Sequence, residues 1–406
     1  MKYQLHCVDC NHIINSLSDW FKNDQKCPEC NSKHVEVFYS TNYKKLDEIL
    51  KKEKIESFWE YFDFLPLENK ENIISLHEGA IPLERWTFLE DYAADKYNVK
   101  CTVYIYRNDL NGGTHTFKDV AGSLAASVLK EHNVKDYCVA STGNTALAFS
   151  KYLSKAGVKL HVFLPQTADD DLYKEILMYG QDGVKVDGNY GYAKKLAAEF
   201  HEKNNIMISG GNIDPMRVEA KKTMAFEFLR QIKKMPDVYL QAVSGGTGPI
   251  ALEKGVRELN QNGYDVKLPK MILVQQDLCD PMVRSWEEAK ENNFPEGFEK
   301  DFVSINNPTT KVNILSTGVP GTYPIVSKIV KNSGGEFVRV SEASLVDYAK
   351  IIKKERDLKF GPASIVCFEG FYKSLQQNLI KDGNVVVINL GEGVAKAREF
   401  AEKINN

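Results

Sequence analysis

Asn111-Gly112-Gly113-Thr114-His115-Thr116-Phe117-Lys118-Asp119 is the stretch that decides the fold. It follows a strand-like run at 101–106, crosses a Gly-Gly turn and opens an Ala/Leu-rich helical segment at 120–129. Lys118 therefore stands at the start of a helix, where the helix dipole disfavours an ammonium and favours an anion or an uncharged lysine. A Schiff base with a carbonyl cofactor is one use of such a lysine. An ordinary solvated surface lysine is the alternative.

Length and composition indicate a soluble, globular chain of two or three domains. The 406 residues are 43% hydrophobic, which is ample for buried cores. The formal net charge of −3 argues against a general nucleic-acid binder. The longest apolar runs, such as 385–390, are too short to span a membrane, and residues 1–10 contain no apolar signal-peptide segment. We therefore expect a cytoplasmic protein without membrane or nucleic-acid partners.

Four of the eight cysteines have the spacing of a metal site. Cys7 and Cys10 are separated by two residues, as are Cys27 and Cys30, so two thiolate pairs on tight turns can converge on one zinc ion. Four protein thiolates leave zinc no open position, so the zinc would be structural. A redox pair or chance clustering is the alternative. Residues 1–40 are thus predicted to form a zinc ribbon, too small to be held by apolar burial alone.

From residue 100 onward, short β-branched segments alternate with helical ones, which predicts an α/β fold with parallel sheets. The predicted strands are 137–140, 159–164, 183–186, 206–209, 238–243, 270–274, 336–340 and 384–390. The predicted helices include 145–156, 192–204, 218–233 and 249–260. We predict three regions, which are the ribbon at 1–40, a connector and start of the core at 41–99, and a catalytic core at 100–406. The core would consist of two interleaved α/β subdomains, the smaller at about 125–215.

Two glycine-containing turns follow predicted strands and precede predicted helices. They are Ser141-Thr142-Gly143-Asn144 and Ser244-Gly245-Gly246-Thr247-Gly248. Backbone N–H groups in such turns lie beyond the carboxyl end of a strand, where a carboxylate or phosphate can bind at a helix N-terminus. Each turn taken alone could also be an ordinary capped helix start.

Thr116-Phe117-Lys118-Asp119 resembles the Ser-Phe-Lys-Asp motif of fold-type II pyridoxal-phosphate (PLP) enzymes, in the group of threonine synthase and cysteate synthase. The two glycine turns follow it in the order of that family, and the resemblance covers about residues 75–396. It implies a fold like that of the tryptophan synthase β chain, with two α/β domains, and a homodimer. It also implies that Lys118 holds PLP as a Schiff base.

The resemblance assigns roles to both turns. Asn144 would contact the 3'-oxygen of PLP, and the substrate carboxylate would bind to Ser141, Thr142 and Gly143. The cofactor phosphate would bind to Ser244, Gly245, Gly246, Thr247 and Gly248.

Two positions depart from the family pattern. Leu390 stands where threonine synthases carry the threonine that meets the pyridine nitrogen, so Glu392 or a water would have to contact this nitrogen. Val120 stands where arginine is usual. Both departures move the chain towards cysteate synthase.

We therefore expect a lyase or transferase of amino-acid biosynthesis that eliminates or replaces a group on an O-phosphorylated or similarly activated L-amino acid. The expected reaction is cysteate synthase-like and turns O-phosphoserine and sulfite into cysteate and phosphate. The alternatives are threonine synthase, which turns O-phosphohomoserine and water into threonine and phosphate, and a related synthase of a specialised amino acid. A PLP-free binding protein is a further alternative, against which Lys118 and Asn144 argue.

Three more residues are candidates for the substrate site. Arg107 and Lys222 lie in segments that line the active site in the family, and either could pair with a phosphate or sulfonate or be solvated. His115 could stack near the cofactor, act as an acid or base, or be a simple turn residue.

Overall fold

The structure is a computed structural model that describes residues 2–394 and 397–405. The chain divides into two compact units. Unit 1 consists of Met1–Ala80, Gly112–Thr114 and Lys118–Arg230. Unit 2 consists of Ile81–Asn111, His115–Phe117 and Gln231–Asn406.

The strands in the described residues are β1 (Tyr3–Cys7), β2 (Ile13–Ile14), β3 (Val35–Tyr39), β4 (Leu83–Arg85), β5 (Thr102–Tyr106), β6 (Asp136–Ala140), β7 (Lys159–Leu164), β8 (Asp182–Lys185), β9 (Met207–Ile208), β10 (Val238–Ala242), β11 (Lys270–Gln276), β12 (Glu336–Val340) and β13 (Val385–Asn389).

The α-helices in the same residues are α1 (Leu17–Lys22), α2 (Lys44–Leu50), α3 (Thr87–Tyr97), α4 (Asp119–Glu131), α5 (Asn144–Ala156), α6 (Asp170–Met178), α7 (Tyr190–Asn204), α8 (Pro215–Ile232), α9 (Thr247–Gln261), α10 (Pro281–Glu291), α11 (Tyr323–Asn332), α12 (Leu345–Arg356), α13 (Pro362–Gln376) and α14 (Arg398–Asn405).

Unit 1 begins with a small antiparallel sheet in the order β2-β1-β3, which we call the ribbon together with α1. Its inward side chains, among them Leu5, Trp20 and Val37, are buried in one cluster with Leu124 and Leu129 of α4. The ribbon therefore packs onto the rest of unit 1 through apolar side chains. This shared core stabilises the ribbon, which is too small to bury enough apolar surface alone.

The main sheet of unit 1 has four parallel strands in the order β8-β7-β6-β9. Helix α4 packs against α5, and α5 and α7 pack against the sheet. Because β6 and β9 are parallel neighbours, the chain leaves both strands at the same edge of the sheet. The turns after Ala140 and Ile208 therefore lie close together.

Unit 2 contains a six-stranded sheet in the order β12-β11-β10-β13-β5-β4. All its strands are parallel except β4, which pairs antiparallel with β5. The central strands are apolar on both faces, as is usual for a parallel sheet covered by helices. The predicted α/β class with parallel sheets is confirmed.

The eight predicted strands are present with small changes at their ends. The segment predicted at 206–209 is reduced to the two residues of β9, and the one at 384–390 to β13. Unit 1 includes the predicted ribbon, residues 41–80 and the range predicted for the smaller subdomain, whereas residues 81–99 lie in unit 2. Within the described ranges, we find no helix with both the length and the apolar character needed to cross a membrane.

Candidate active site

Lys118 lies directly before α4 in unit 1 and is half-buried. The turn before it is fixed by Asp119, whose Oδ1 accepts hydrogen bonds from Thr114 N at 2.7 Å and Thr114 Oγ1 at 2.8 Å. Gly113 has a φ of +90°, and a Cβ atom there would lie 2.4 Å from Tyr152 Oη. Only glycine fits this turn, and the turn determines where Lys118 stands.

The loop predicted to bind a carboxylate lies between β6 and α5 in unit 1. Ser141 Oγ accepts hydrogen bonds from Gly143 N at 3.0 Å and Ala146 N at 3.1 Å, which fixes the loop around the start of α5. Asn144, the first residue of α5, is buried. The loop lies at a helix N-terminus, which favours an anion, but Ser141 N donates to the carbonyl of Phe163 at 3.0 Å and Gly143 N to Ser141 Oγ, so an anion would have to compete with these acceptors.

Arg217 and Lys221 form a buried cation pair one turn apart on α8. They are 8% and 3% exposed. Arg217 Nη2 donates to Ser209 Oγ at 2.6 Å, and its guanidinium carbon lies 5.0 Å from the ring of Phe149. The buried Nε of Arg217 has no hydrogen-bond partner among the described residues. A buried guanidinium with an unused donor is suited to an anionic ligand.

Lys118 belongs electrostatically to the same cluster. Burial lowers the pKa of Lys221 well below its ordinary value, and the positive charges of Lys118 and Arg217 lower it further. The opposing carboxylate is Asp214, which accepts hydrogen bonds from Gly210 N at 2.9 Å and Met216 N at 3.0 Å. Lys118, Lys221 and Arg217 are thus basic side chains near the carboxylate of Asp214, and an anion bound among them would favour the protonated form of Lys221.

We expect Lys221→Met to stabilise the protein at pH 7 and to flatten its pH dependence. The folded pKa of Lys221 lies below the ordinary 10.5, so between these values only the unfolded chain binds the proton. Stability therefore rises with pH in this window, by up to about 1.4 kcal/mol per pH unit for one proton. Urea unfolding at several pH values between 7 and 9 would measure the slope for both proteins.

Lys222→Met is the matched control for this measurement. Lys222 is fully buried, but its Nζ lies 2.6 Å from Glu219 Oε2, so its loss leaves a buried carboxylate without this cation and should destabilise the fold. An unchanged pH slope in Lys221→Met would show that Lys221 is charged in the folded protein.

The structure gives Lys222 and Arg107 carboxylate partners. In unit 2, Arg107 Nε and Nη2 each donate to Asp109 at 2.8 Å, and Arg107 Nη1 donates to Glu84. Burial lowers the pKa of Arg107, but these carboxylates outweigh it and the pKa is raised. A substrate anion at Arg107 or Lys222 would have to compete with these partners. His115 is exposed in unit 2 with a φ of +61°.

The glycine turn of unit 2 lies between β10 and α9. Gly246 has a φ of +79°, and a Cβ atom there would lie 2.6 Å from Val326 Cγ2. A Cβ atom on Gly248 would lie 2.1 Å from Gln241 Oε1. The turn therefore has bare backbone at its glycines, at the start of a fifteen-residue helix. These features fit a phosphate group such as that of PLP.

The positions that depart from the family pattern are buried. Leu390 is fully buried in unit 2, and its carbonyl accepts a hydrogen bond from Asn108 Nδ2 at 2.9 Å. Glu392 is 5% exposed, and Ser364 Oγ donates to its carbonyl at 2.7 Å. Val120 is buried in the core of unit 1.

The four N-terminal cysteines converge in the ribbon. Their Sγ atoms all lie within 4.8 Å of one another. The Cys7 and Cys30 Sγ atoms are 3.5 Å apart, and those of Cys10 and Cys27 are 3.6 Å apart. A tetrahedral zinc with Zn–S bonds of about 2.3 Å separates its sulfurs by about 3.8 Å. The cysteine centre, as we call these residues, therefore fits zinc.

Sequence reasoning missed Arg217 and Lys221 as site residues. Their spacing of four residues places them on one side of a helix, and this spacing is visible in the sequence alone. The predicted Lys222 follows Lys221 directly and is turned about 100° from it around α8.

Comparisons with known proteins identify the family of this chain. Residues 74–391 match the family model described as pyridoxal-phosphate dependent enzyme. The threonine synthase of Methanocaldococcus jannaschii is 27% identical over 89% of this chain and 86% of its own. That of Methanosarcina acetivorans is 27% identical over 96% of this chain and 91% of its own. The threonine synthase of Mycobacterium tuberculosis is 26% identical over 82% of this chain and 87% of its own.

Two solved structures show the same fold. A fungal L-serine ammonia-lyase from Rhizomucor miehei has a TM-score of 0.64 at 16% identity, covering 80% of this chain and 99% of its own. The processed form of threonine deaminase isoform 2 from Solanum lycopersicum has a TM-score of 0.61 at 20% identity, covering 80% and 83%.

Proposed function

We propose that this chain, which belongs to the family of pyridoxal-phosphate-dependent enzymes, is a threonine synthase that converts O-phospho-L-homoserine and water into L-threonine and phosphate. The observation that carries the proposal is the similarity to threonine synthases over 82% to 96% of the chain. The predicted membership of the threonine synthase group is confirmed. The comparisons give no specific support to the cysteate synthase-like reaction, and the alternative fits them better.

The cation cluster of unit 1 supports a phosphorylated substrate. In our proposal, the substrate carboxylate binds at the Ser141–Gly143 loop, where it competes with Ser141 Oγ for the N–H of Gly143. Arg217 binds the phosphate through its buried Nε, which neutralises the leaving group as its bond to C4 breaks. C3 loses one of its two protons, the oxygen of water bonds to C3 and keeps one hydrogen, and C4 gains a proton that balances the one lost from C3. Phosphate leaves with the remaining proton of the water.

Lys118 is proposed to hold the cofactor and to move protons. Its amine, released from the cofactor, would take the α-proton of the substrate and later return it. Bound PLP supplies the electron sink for this step. The glycine turn Ser244–Gly248 of unit 2 would hold the cofactor phosphate through backbone N–H groups.

Phosphate release tests the proposal. The PLP-loaded protein would be given O-phosphohomoserine or O-phosphoserine, each with and without sulfite. We expect phosphate and threonine from O-phosphohomoserine, with no need for sulfite. Cysteate from O-phosphoserine and sulfite would overturn the proposal in favour of the cysteate synthase-like reaction. No phosphate from either compound would show that the leaving group is not phosphate.

We also infer a structural zinc ion at the cysteine centre. Elemental analysis of the purified protein should find one zinc per chain, and Cys27→Ser should lose it. Cys101→Ser is the matched control, because Cys101 is buried outside the cysteine centre. A zinc-free protein with the same thermal stability before and after addition of zinc would contradict the inference.

A further inference from the structure

Helix α8 is held by two similar contacts from the first eighty residues of unit 1. In the first, Tyr39 Oη donates to Glu219 Oε2 at 2.7 Å, and Glu219 pairs with Lys222 at 2.6 Å. We call this set of Tyr39, Glu219 and Lys222 the front clamp. A tyrosine hydroxyl from the ribbon thus binds a glutamate whose cationic partner lies three residues later on the same helix.

The second contact repeats this pattern further along α8. Tyr61 Oη donates to Glu227 Oε1 at 2.5 Å, and Glu227 pairs with Arg230 at 2.8 Å. We call this set the rear clamp. The rear clamp lies eight residues beyond the front clamp, so α8 is fixed at two places about two turns apart.

Two of the three members of the front clamp are buried, and Tyr39 contacts both of them. Glu219 and Lys222 are 1% and 0% exposed, and Lys222 Nζ lies 3.9 Å from the centre of the Tyr39 ring. The tyrosine therefore contributes a hydrogen bond to the carboxylate and a cation–π contact to the ammonium. Loss of the Tyr39 hydroxyl would remove a hydrogen bond from the buried ion pair of Glu219 and Lys222. We expect these two side chains to shift as a result.

The front clamp and the anion-binding cations lie on opposite sides of α8. At about 100° per residue, Lys221 lies about 40° and Glu219 about 200° around the helix from Arg217. Tyr39 therefore holds the back of the helical turn whose front presents Arg217 and Lys221. A small rotation or shift of this turn would displace the guanidinium from an anion.

The ribbon connects Tyr39 to the cysteine centre. Tyr39 is the last residue of β3, and the five residues of β3 pair with β1 from Tyr3 to Cys7. Cys7 pairs with Val35 at the other end of β3. The position of Tyr39 thus depends on a sheet that is anchored at its far end by a residue of the cysteine centre.

We propose that Tyr39 is a positioning residue that makes the affinity of Arg217 for the substrate's phosphate depend on the integrity of the ribbon and its cysteine centre. This inference rests on the proposed function, because it takes the anion to be the phosphate of the substrate. It assigns the ribbon a part in substrate binding beyond its own stability.

Tyr39→Phe and Tyr61→Phe form a matched pair that tests the inference. Each removes one hydroxyl that donates to a buried glutamate of α8, but only Tyr39 lies beside the turn with Arg217. Inorganic phosphate would be titrated into the PLP-loaded protein by calorimetry, and KM and kcat would be measured with O-phosphohomoserine. Cofactor absorbance and the melting temperature would be followed in each variant.

For Tyr39→Phe we expect phosphate affinity to fall and KM to rise about tenfold, with kcat within about twofold and cofactor absorbance unchanged. Tyr61→Phe should keep the phosphate affinity of the unmodified protein. Cys27→Ser should raise KM in the same direction as Tyr39→Phe. Equal phosphate affinity in both tyrosine variants, or no phosphate binding by the unmodified protein, would overturn the inference.

The phosphate titration separates failure of the inference from failure of the proposed function. It needs no turnover, so it gives a result even for a protein that leaves O-phosphohomoserine unchanged. In that case a selective effect of Tyr39→Phe on phosphate binding would keep the positioning role and reject only the threonine synthase reaction.

Discussion

Lys118→Ala should reduce kcat/KM by at least about 10⁴-fold, because the only proposed covalent anchor of the cofactor and the base for the α-proton are lost together. The turn around Lys118 should survive, because it is fixed by Asp119 and Gly113 and not by the lysine side chain. The variant should therefore fold and lack the visible absorbance of the bound cofactor. Steady-state kinetics and an absorbance spectrum of the purified protein would measure both effects.

Lys130→Ala is the control for this substitution. Lys130 lies in the last turn of the same helix, and its Nζ donates to the carbonyl of Glu71 at 3.1 Å. Its loss should leave activity and absorbance unchanged. If Lys118→Ala kept the visible band, the cofactor would be held by another amine, and the buried Lys221 would be the first to substitute next.

The parallel sheets could be predicted because their strands have one simple requirement. A central strand covered by helices on both faces is largely apolar. Val385–Asn389 is a β-branched run that ends in one asparagine, and Val238–Ala242 is apolar except for Gln241. Their ends were less predictable, since they depend on local hydrogen bonds. Helix α8 begins at Pro215, three residues before the predicted start, because proline suits the first turn and Asp214 accepts a hydrogen bond from Met216 N.

The turns that follow strands could also be predicted, because the glycine and serine residues that such turns need lie within the turns themselves. The rotational orientation of α8 about its own axis could not be predicted. Fifteen of its eighteen residues are buried, so the hydrophobic pattern does not show which side faces the site. The sequence offers Lys221 and Lys222 equally. The fold separates the two sides of α8, because Tyr39 packs against Lys222 and Phe149 packs against Arg217.

Arg107 shows a second limit of sequence reasoning. Its partner Asp109 is two residues away and visible in the sequence, but Glu84 reaches it only because β4 pairs antiparallel with β5. Long-range strand pairing of this kind is not contained in the local pattern. A cation chosen from sequence for an anion site must therefore be checked for carboxylates that the fold supplies.

Arg217→Gln should lower kcat/KM for a phosphorylated substrate by about 10² to 10³, since it removes a buried cation from a charged hydrogen-bonded contact. Glutamine keeps a polar donor near the position of the Arg217 Nε but is too short to replace the hydrogen bond from Nη2 to Ser209 Oγ. Arg217→Lys keeps the charge but loses the planar fork, so it should recover only part of the activity. Initial rates with O-phosphohomoserine over a range of concentrations would measure all three proteins.

The selectivity of this loss decides what Arg217 does. Arg257→Gln is the remote control, because Arg257 pairs with Glu253 on α9 of unit 2, and it should have no effect on the rate. Inorganic phosphate should inhibit the unmodified protein and Arg257→Gln equally, and Arg217→Gln much less. If Arg217→Gln instead lost activity while phosphate still inhibited it as before, Arg217 would act by holding Ser209 and the edge of the sheet. The anion site would then have to be sought at Lys221, whose amine lies in the same buried cluster.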